Sequence, residues 1–154
     1  MSIYLNIDNI NGNVTTKGYE NEIDIYSFHF SVNRPSLMQV GDNKNRTPGH
    51  PGLTVISISK KLDCASNHLF ELACNGQSLP CATFTVVRTG KTLEPYAKYI
   101  LYNVMVAEFS SAMHAEGTPL ESIKLSYTKL ETHYLGEQSS PKRSGFNLQT
   151  AQII

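Results

Sequence analysis

The chain has 154 residues, with thirteen basic side chains balanced by thirteen acidic ones, three cysteines and no tryptophan. A chain of this length suits one domain, which buries roughly 70% of its unfolded surface and needs no disulfide or metal to hold its fold. A formal charge of zero gives no electrostatic reason to seek nucleic acid or anionic lipid, and without a run of about 18 apolar residues there is no helix to insert in a membrane.

The first ten residues include Asp8 and lack a basic start followed by an apolar stretch, so no cleaved secretory signal is expected. Residues 2–7 alternate Ile3, Leu5 and Ile7 with Tyr4 and Asn6, the period of a strand. Turn signals follow at Asn11-Gly12-Asn13 and Lys17-Gly18. Residues 23–32 then form the strand on which the chain is organised. Tyr26, Phe28, Phe30 and Val32 make an apolar face, while Ser27, His29 and Ser31 make a wet one. Such a strand belongs to a sheet that is dry on one side and solvated on the other.

Asn33-Arg34-Pro35 ends that strand. Residues 33–52 show no useful period and carry the polar run Gly41, Asp42, Asn43, Lys44, Asn45 and Arg46, which reads as a long extended loop. A strand is expected at 53–60 and a helix at 63–75, with Ser66 as N-cap, a stripe of Leu69, Phe70 and Ala73 with Leu72 on its flank, and Gly76 as an αL stop. Ala82, Phe84 and Val86 alternate in the next strand. A long strand over 95–109 puts Tyr96, Ile100, Tyr102, Val104 and Val106 on one face and Leu101 and Met105 on the other. In residues 120–134, Ile123, Leu125 and Tyr127 oppose Ser122, Lys124 and Ser126. The parity then flips, as a β-bulge near Lys129 would make it do. Residues 136–143 read as a polar linker and Gly145-Phe146-Asn147-Leu148 starts a short terminal piece, together a C-terminal tail over about 136–154. About six strands and one helix make a mainly β domain, a barrel or sandwich with the helix packed outside.

Chemistry is sparse. His29, His50, His68, His114 and His133 show no metal-ligand spacing, and no nucleophile elbow, phosphate loop or dinucleotide fingerprint occurs. Cys64, Cys74 and Cys81 are odd in number and lack a C-x-x-C pair. Free, mostly buried thiols in a reducing cytoplasm are expected, not a disulfide framework or zinc site. Cys64 or Cys81 with a distant histidine is the only nucleophile arrangement, and any chain of this composition offers one. Glu22 and Asp24 read as a solvated edge and Lys142-Arg143 as a solvated tail. No catalytic, cofactor-binding or metal-binding residue is therefore assigned, and the chain reads as no enzyme.

One family resemblance spans nearly the whole chain. It rests on Ile3-Tyr4-Leu5-Asn6-Ile7-Asp8 with Ile10 and Gly12, Lys17-Gly18, Ile23-Asp24-Ile25 with Phe28 and Phe30, and Arg34-Pro35. Leu69-Phe70-Glu71 with Cys74, Gly76 and Pro80, Glu121-Ser122-Ile123 through Tyr127-Thr128-Lys129-Leu130, and Gly145-Phe146-Asn147-Leu148 complete it. In these residues the chain resembles the Hcp (haemolysin-coregulated protein) family, the tube proteins of bacterial type VI secretion. It departs at Phe28 and Phe30, where tryptophan is frequent, and at Gln77 and Ser78, where lysine and histidine are.

The resemblance implies a β-barrel of two antiparallel sheets with one α-helix packed on the outside, in a single domain over 1–154. It also implies homohexameric rings that stack into a hollow tube. The tube would be driven by a contractile sheath, tipped by a spike protein and loaded with effector proteins, held in the cytoplasm before firing and then secreted. Ser27, His29 and Ser31 would face the bore. The loop over 33–52, with Gly41, Asp42, Asn43, Lys44, Asn45 and Arg46, would reach an adjacent subunit or ring. A tail-tube protein of a phage or related contractile device, a small-ligand-binding barrel and a cysteine hydrolase are the alternatives. About twenty residues after Tyr134 are too few for a fused toxin domain.

Overall fold

The computed structural model describes residues 1–38, 40–41, 46–136 and 142–154. Its elements, in chain order, are β1 (Ser2–Ile7), β2 (Ile23–Ile25), β3 (Ser27–His29), β4 (Val32–Asn33), β5 (Ser36–Met38), β6 (Arg46–Pro48), β7 (Gly52–Leu53), β8 (Ile56–Lys61), α1 (Ser66–Asn75), β9 (Leu79–Arg88), β10 (Glu94–Ala112), β11 (Leu120–Ser126), β12 (Lys129–Tyr134), β13 (Lys142–Asn147) and β14 (Gln152–Ile153). The chain is mainly β, in two antiparallel sheets. The first has the order β2-β1-β9-β10-β12-β13-β14 and the second β10-β11-β8-β3. They share β10, which lies between β9 and β12 as far as Tyr102 and pairs with β11 from Met105 onward.

Three breaks in the two-residue period mark where the chain passes between sheets. At Tyr26 the strand leaves β1 and joins β8, so Tyr26 and Ser27 are exposed in succession and Tyr26 is 75% exposed. The expected apolar face is therefore corrected: Phe28 and Phe30 pack on the core, whereas Tyr26 and Val32 face solvent. At Asn103 a positive φ of 51° reverses the parity of β10. The core side is Ala97, Tyr99 and Leu101 before it and Val104 and Val106 after it, so Tyr96, Ile100 and Tyr102 do not share the inner face with Val104. At residues 127–128 the chain moves from β11 in one sheet to β12 in the other. A change of sheet, not a bulge near Lys129, causes that flip.

The interior is an aromatic and aliphatic cluster. Phe28 lies 4.7 Å from Phe84 and 5.0 Å from Tyr99 between ring centroids, and Phe30 stands edge-on to Tyr99. Helix α1 closes one flank with Leu69 and Leu72, 1% and 2% exposed, each contributing roughly 1.5–3 kcal/mol through burial. The cap differs from expectation. Ser66 lies inside the helix, and the Asp63 carboxylate accepts the backbone N–H of Ala65. Gly76 stops the helix at φ +67°, its N–H bonded to the Leu72 carbonyl, as expected. Tyr4, placed by its period on the wet side of β1, is buried with Val14, Val87 and Tyr19 beneath the segment 9–22, which folds over the first sheet.

The expected loop over 33–52 is in part an irregular hairpin. Beyond the β3–β8 pair, β4 pairs with β7 and β5 with β6, bridged by Thr54 N–H to the Ser31 carbonyl and Gly49 N–H to the Pro35 carbonyl. This ladder is inherited from the strands at its base, which is why no local period announced it. In the C-terminal tail, Lys142 and Arg143 begin a strand where a solvated tail is expected, and β13 and β14 extend the first sheet beyond β12. The cysteines, expected mostly buried, are exposed at Cys64 and Cys74 and half-buried at Cys81.

Candidate functional site

The second sheet has one dry and one wet face because its strands alternate, with one register break in β10 between Val106 and Glu108. Ile56 and Ile58 of β8, and Ile123 and Leu125 of β11, point inward and are at most 2% exposed. The intervening residues point outward and fall into register across four strands. Ser27, Ser59, Ser122 and Ser110 form one row. His29, Ser57, Lys124 and Glu108 form the next. The Ser27 and Ser59 hydroxyls are hydrogen-bonded across the strand pair, and Lys124 Nζ lies 2.7 Å from Glu108 Oε2. Lys124 and Glu108 pair within the second row, and Lys61, exposed on the same side of β8 one step beyond Ser59, adds a cation at the end of this otherwise hydroxyl-rich face.

Ser27 and His29 thus sit together as the sequence placed them. Ser31 does not join the rows. It lies beyond the end of β3, where its N–H donates to Thr54 Oγ1 at 2.9 Å. Of the loop residues singled out, Asp42, Asn43, Lys44 and Asn45 lie outside the described residues. Gly41 has φ +87° and Arg46 begins β6. Sequence reasoning did not connect Ser57, Ser59, Ser110, Ser122, Lys124 and Glu108 with Ser27. The available signal was the alternation of Ser57 and Ser59 with Ile56 and Ile58.

Beneath this wall lies a buried ionic cluster. Lys60 and Glu121 face each other across β8 and β11, 0% and 2% exposed. Lys60 Nζ is 2.8 Å from Glu121 Oε2 and 2.7 Å from Asp63 Oδ1, and it donates to the Lys61 carbonyl at 3.0 Å. The Ser66 hydroxyl donates to Glu121 Oε2 at 2.9 Å. The cluster fastens the start of α1 to the inner side of the wet sheet.

The outer face of the first sheet is charged. Glu131 bridges Lys129 at 2.7 Å and His133 Nε2 at 3.1 Å. The Lys129 hydrogen bond, with help from His133 and against some desolvation, holds the Glu131 carboxyl below its usual range. Nearby, Glu22 lines a cleft of about 500 Å³ with Asn6, Lys17, Tyr19 and Lys98. Its Oε2 is buried without a partner, and burial raises its pKa despite the Asn6 amide and Lys98.

Residues 4–134 match the family model described as "Type VI secretion system effector, Hcp". The chain belongs to the Hcp family. Hcp membership identifies it as a tube subunit of type VI secretion, and secretion by that system follows at the family level. Among solved structures it is similar to Hcp1 from Salmonella typhimurium, at 23% identity and a TM-score of 0.83, covering 99% of this chain and 98% of that one. A type six secretion system protein aligns at 20% identity with a TM-score of 0.91 over 99% of both chains. A type VI effector from Yersinia pestis aligns at 18% identity and a TM-score of 0.79 over 94% of this chain and 98% of that one. At these identities the likeness shows the shared fold. No curated protein matches the sequence. No helix among the described residues is long and apolar enough to cross a membrane.

Proposed function

We propose that six copies of this Hcp chain close into a ring, that rings stack into the type VI tube, and that the serine face of the second sheet lines its bore. The observation that carries this reading is the pair of free edges on that sheet. Among the described residues, β3 pairs only with β8, and β10 beyond Val104 pairs only with β11. Unpaired edges invite association. Four antiparallel strands begin and end in opposite directions, and rotation about an axis along the strands preserves direction. The β3 of one copy therefore meets the β10 of the next antiparallel, like every other pair in the sheet. A closed ring of this kind joins two different patches of one surface.

The circuit β1–β9–β10–β11–β8, returned to β1 by the continuous segment through β3 and β2, supports reading each subunit as a closed barrel. Strands spaced about 4.8 Å apart, four from each of six copies, give a wall about 115 Å around and about 37 Å across. A compact domain of about 100 residues, with its radius of gyration near 13 Å, is about 34 Å across, so once inward side chains are counted the bore suits smaller or partly unfolded cargo. A face of mostly hydroxyls, with Lys124 and Glu108 paired and Lys61 at its end, suits a conduit that lets unlike effectors slide. Ser27 and His29 stand on that wall, while Ser31 is at its margin. The loop over 33–52 reaches the next subunit or ring. The spike, sheath and effector proteins are the partners, no enzymatic activity is ascribed, and the chain waits in the cytoplasm until firing.

Negative-stain microscopy of the purified chain tests the reading. Annular particles with a central hole are expected, and a field of lone compact particles at high concentration would refute it. For the bore, His29→Trp in an export assay is expected to lower retention of at least one effector. Unchanged retention of every effector would remove His29 from cargo contact.

A further inference from the structure

The two free edges of the second sheet each carry exposed aromatic surface that the isolated chain leaves uncovered. At the β3 edge, Tyr26 is 75% exposed at the corner where the strand changes sheets. At the β10 edge, Phe70 of α1 is 56% exposed and stands edge-on to Phe109 at 5.8 Å. Met105, 40% exposed, extends that surface to the Gly76 end of the helix, where its Cε is 4.0 Å from the place a glycine-76 Cβ would occupy. Apolar surface gathered at strand edges marks a contact.

Register says which surfaces meet. Ser27 is level with Ser110 through Ser59 and Ser122. One step toward the N-terminus on β3 is one step toward the C-terminus on β10, so Tyr26 is level with Ser111. Phe109 is two residues from Ser111, about 7 Å along the strand, within reach of a tyrosyl ring. Helix α1 begins at this level too, where Ser66 bonds Glu121, the cross-strand partner of Ser111, and Phe70 lies about 6 Å further along its axis.

We infer that Tyr26 of each copy docks on the Phe70–Phe109–Met105 surface of its neighbour, as the apolar lock between subunits of the ring. The inference rests on the ring reading and deepens it, since edge pairing alone names no side chain. Aromatic rings of this size bury enough area to dominate a contact of modest extent.

The test uses the full chain. It contains no tryptophan, so Phe70→Trp supplies a single fluorescent reporter at a half-exposed position. Native mass spectrometry of the same samples counts copies, and circular dichroism checks that each variant keeps its β-rich fold. Rings of Phe70→Trp are expected to emit further to the blue than rings of Phe70→Trp carrying Tyr26→Ser. Tyr26→Ser alone is expected to raise the concentration for half-assembly about tenfold. If rings form and Tyr26→Ser changes neither the emission nor the assembly, the lock is wrong and the ring stands. If the wild-type chain forms no ring under any condition, the ring reading fails and the lock with it.

Discussion

At the scale of single residues, the informative positions are those that break the simple rule of polar outside and apolar inside. Lys60 is the clearest. Its place in an alternating strand matches the inward isoleucines, yet it is a cation, tolerated because Asp63 and Glu121 both lie within 2.8 Å. Removing one member of a buried ion pair is strongly destabilising, whereas replacing both with apolar groups can be neutral. Lys60→Met is therefore expected to lower stability by about 3–5 kcal/mol, and Lys60→Met with Glu121→Leu to recover part of it. Urea midpoints of the three proteins check this.

Glu22 is the opposite case, a carboxylate with one oxygen buried and unpartnered. Its pKa is raised chiefly by burial, so the folded chain holds the proton to higher pH than the unfolded one. Stability is full below the ordinary glutamate range and falls as pH rises through the raised value. Glu22→Gln is expected to gain about 1 kcal/mol at pH 7 and to match the wild type below about pH 4, as urea titrations at the two pH values would read. Glu131, held low by Lys129, has the other sign. Its contribution is present above the usual glutamate pKa and disappears as pH falls through the lowered value. At Gly12, a Cβ would meet the Glu22 carbonyl at 2.3 Å and the Ile23 Cα at 2.7 Å, both backbone. Gly12→Ala must displace the segment 9–22 from β2, and a markedly lowered thermal midpoint is expected.

At the scale of elements, the sequence is most legible where one strand stays in one sheet. The alternation of Ile56, Ser57, Ile58 and Ser59 is plain, as is the helix stop at Gly76. The corners were not readable. A parity flip at residues 127–128 looks the same in sequence whether a strand bulges or changes sheets, and only pairing partners separate the two. The alternation that puts Phe28 and Phe30 on a dry face carries Tyr26 to the same side, although the period breaks at Tyr26 where the strand changes sheets. The serine rows were hidden for a related reason, since Ser27, Ser59, Ser110 and Ser122 come from four separated segments and become neighbours only through register. The pairings β4–β7 and β5–β6 are short and have exposed neighbours, including Met38 and Val40. Such ladders open at low free-energy cost. Hydrogen exchange in the unassembled chain is expected to be fast for the amides of β4–β7 and slow for those of β8 and β11.

At the scale of the whole molecule, the two sheets divide the labour. The first sheet is covered outside in part by segment 9–22, extended by β13 and β14, and charged. The second is thin, four strands wide, with a hydroxyl-rich face and, among the described residues, two edges without a strand partner. A lone particle would leave those edges and their aromatic margins in water. The proposed ring would pair them and turn the serine rows toward an enclosed channel. The central claim is that assembly completes the wall. Native mass spectrometry of the full chain at micromolar concentration tests it most directly. The account predicts a dominant species of six copies, and a spectrum holding one copy per particle at every concentration would contradict it.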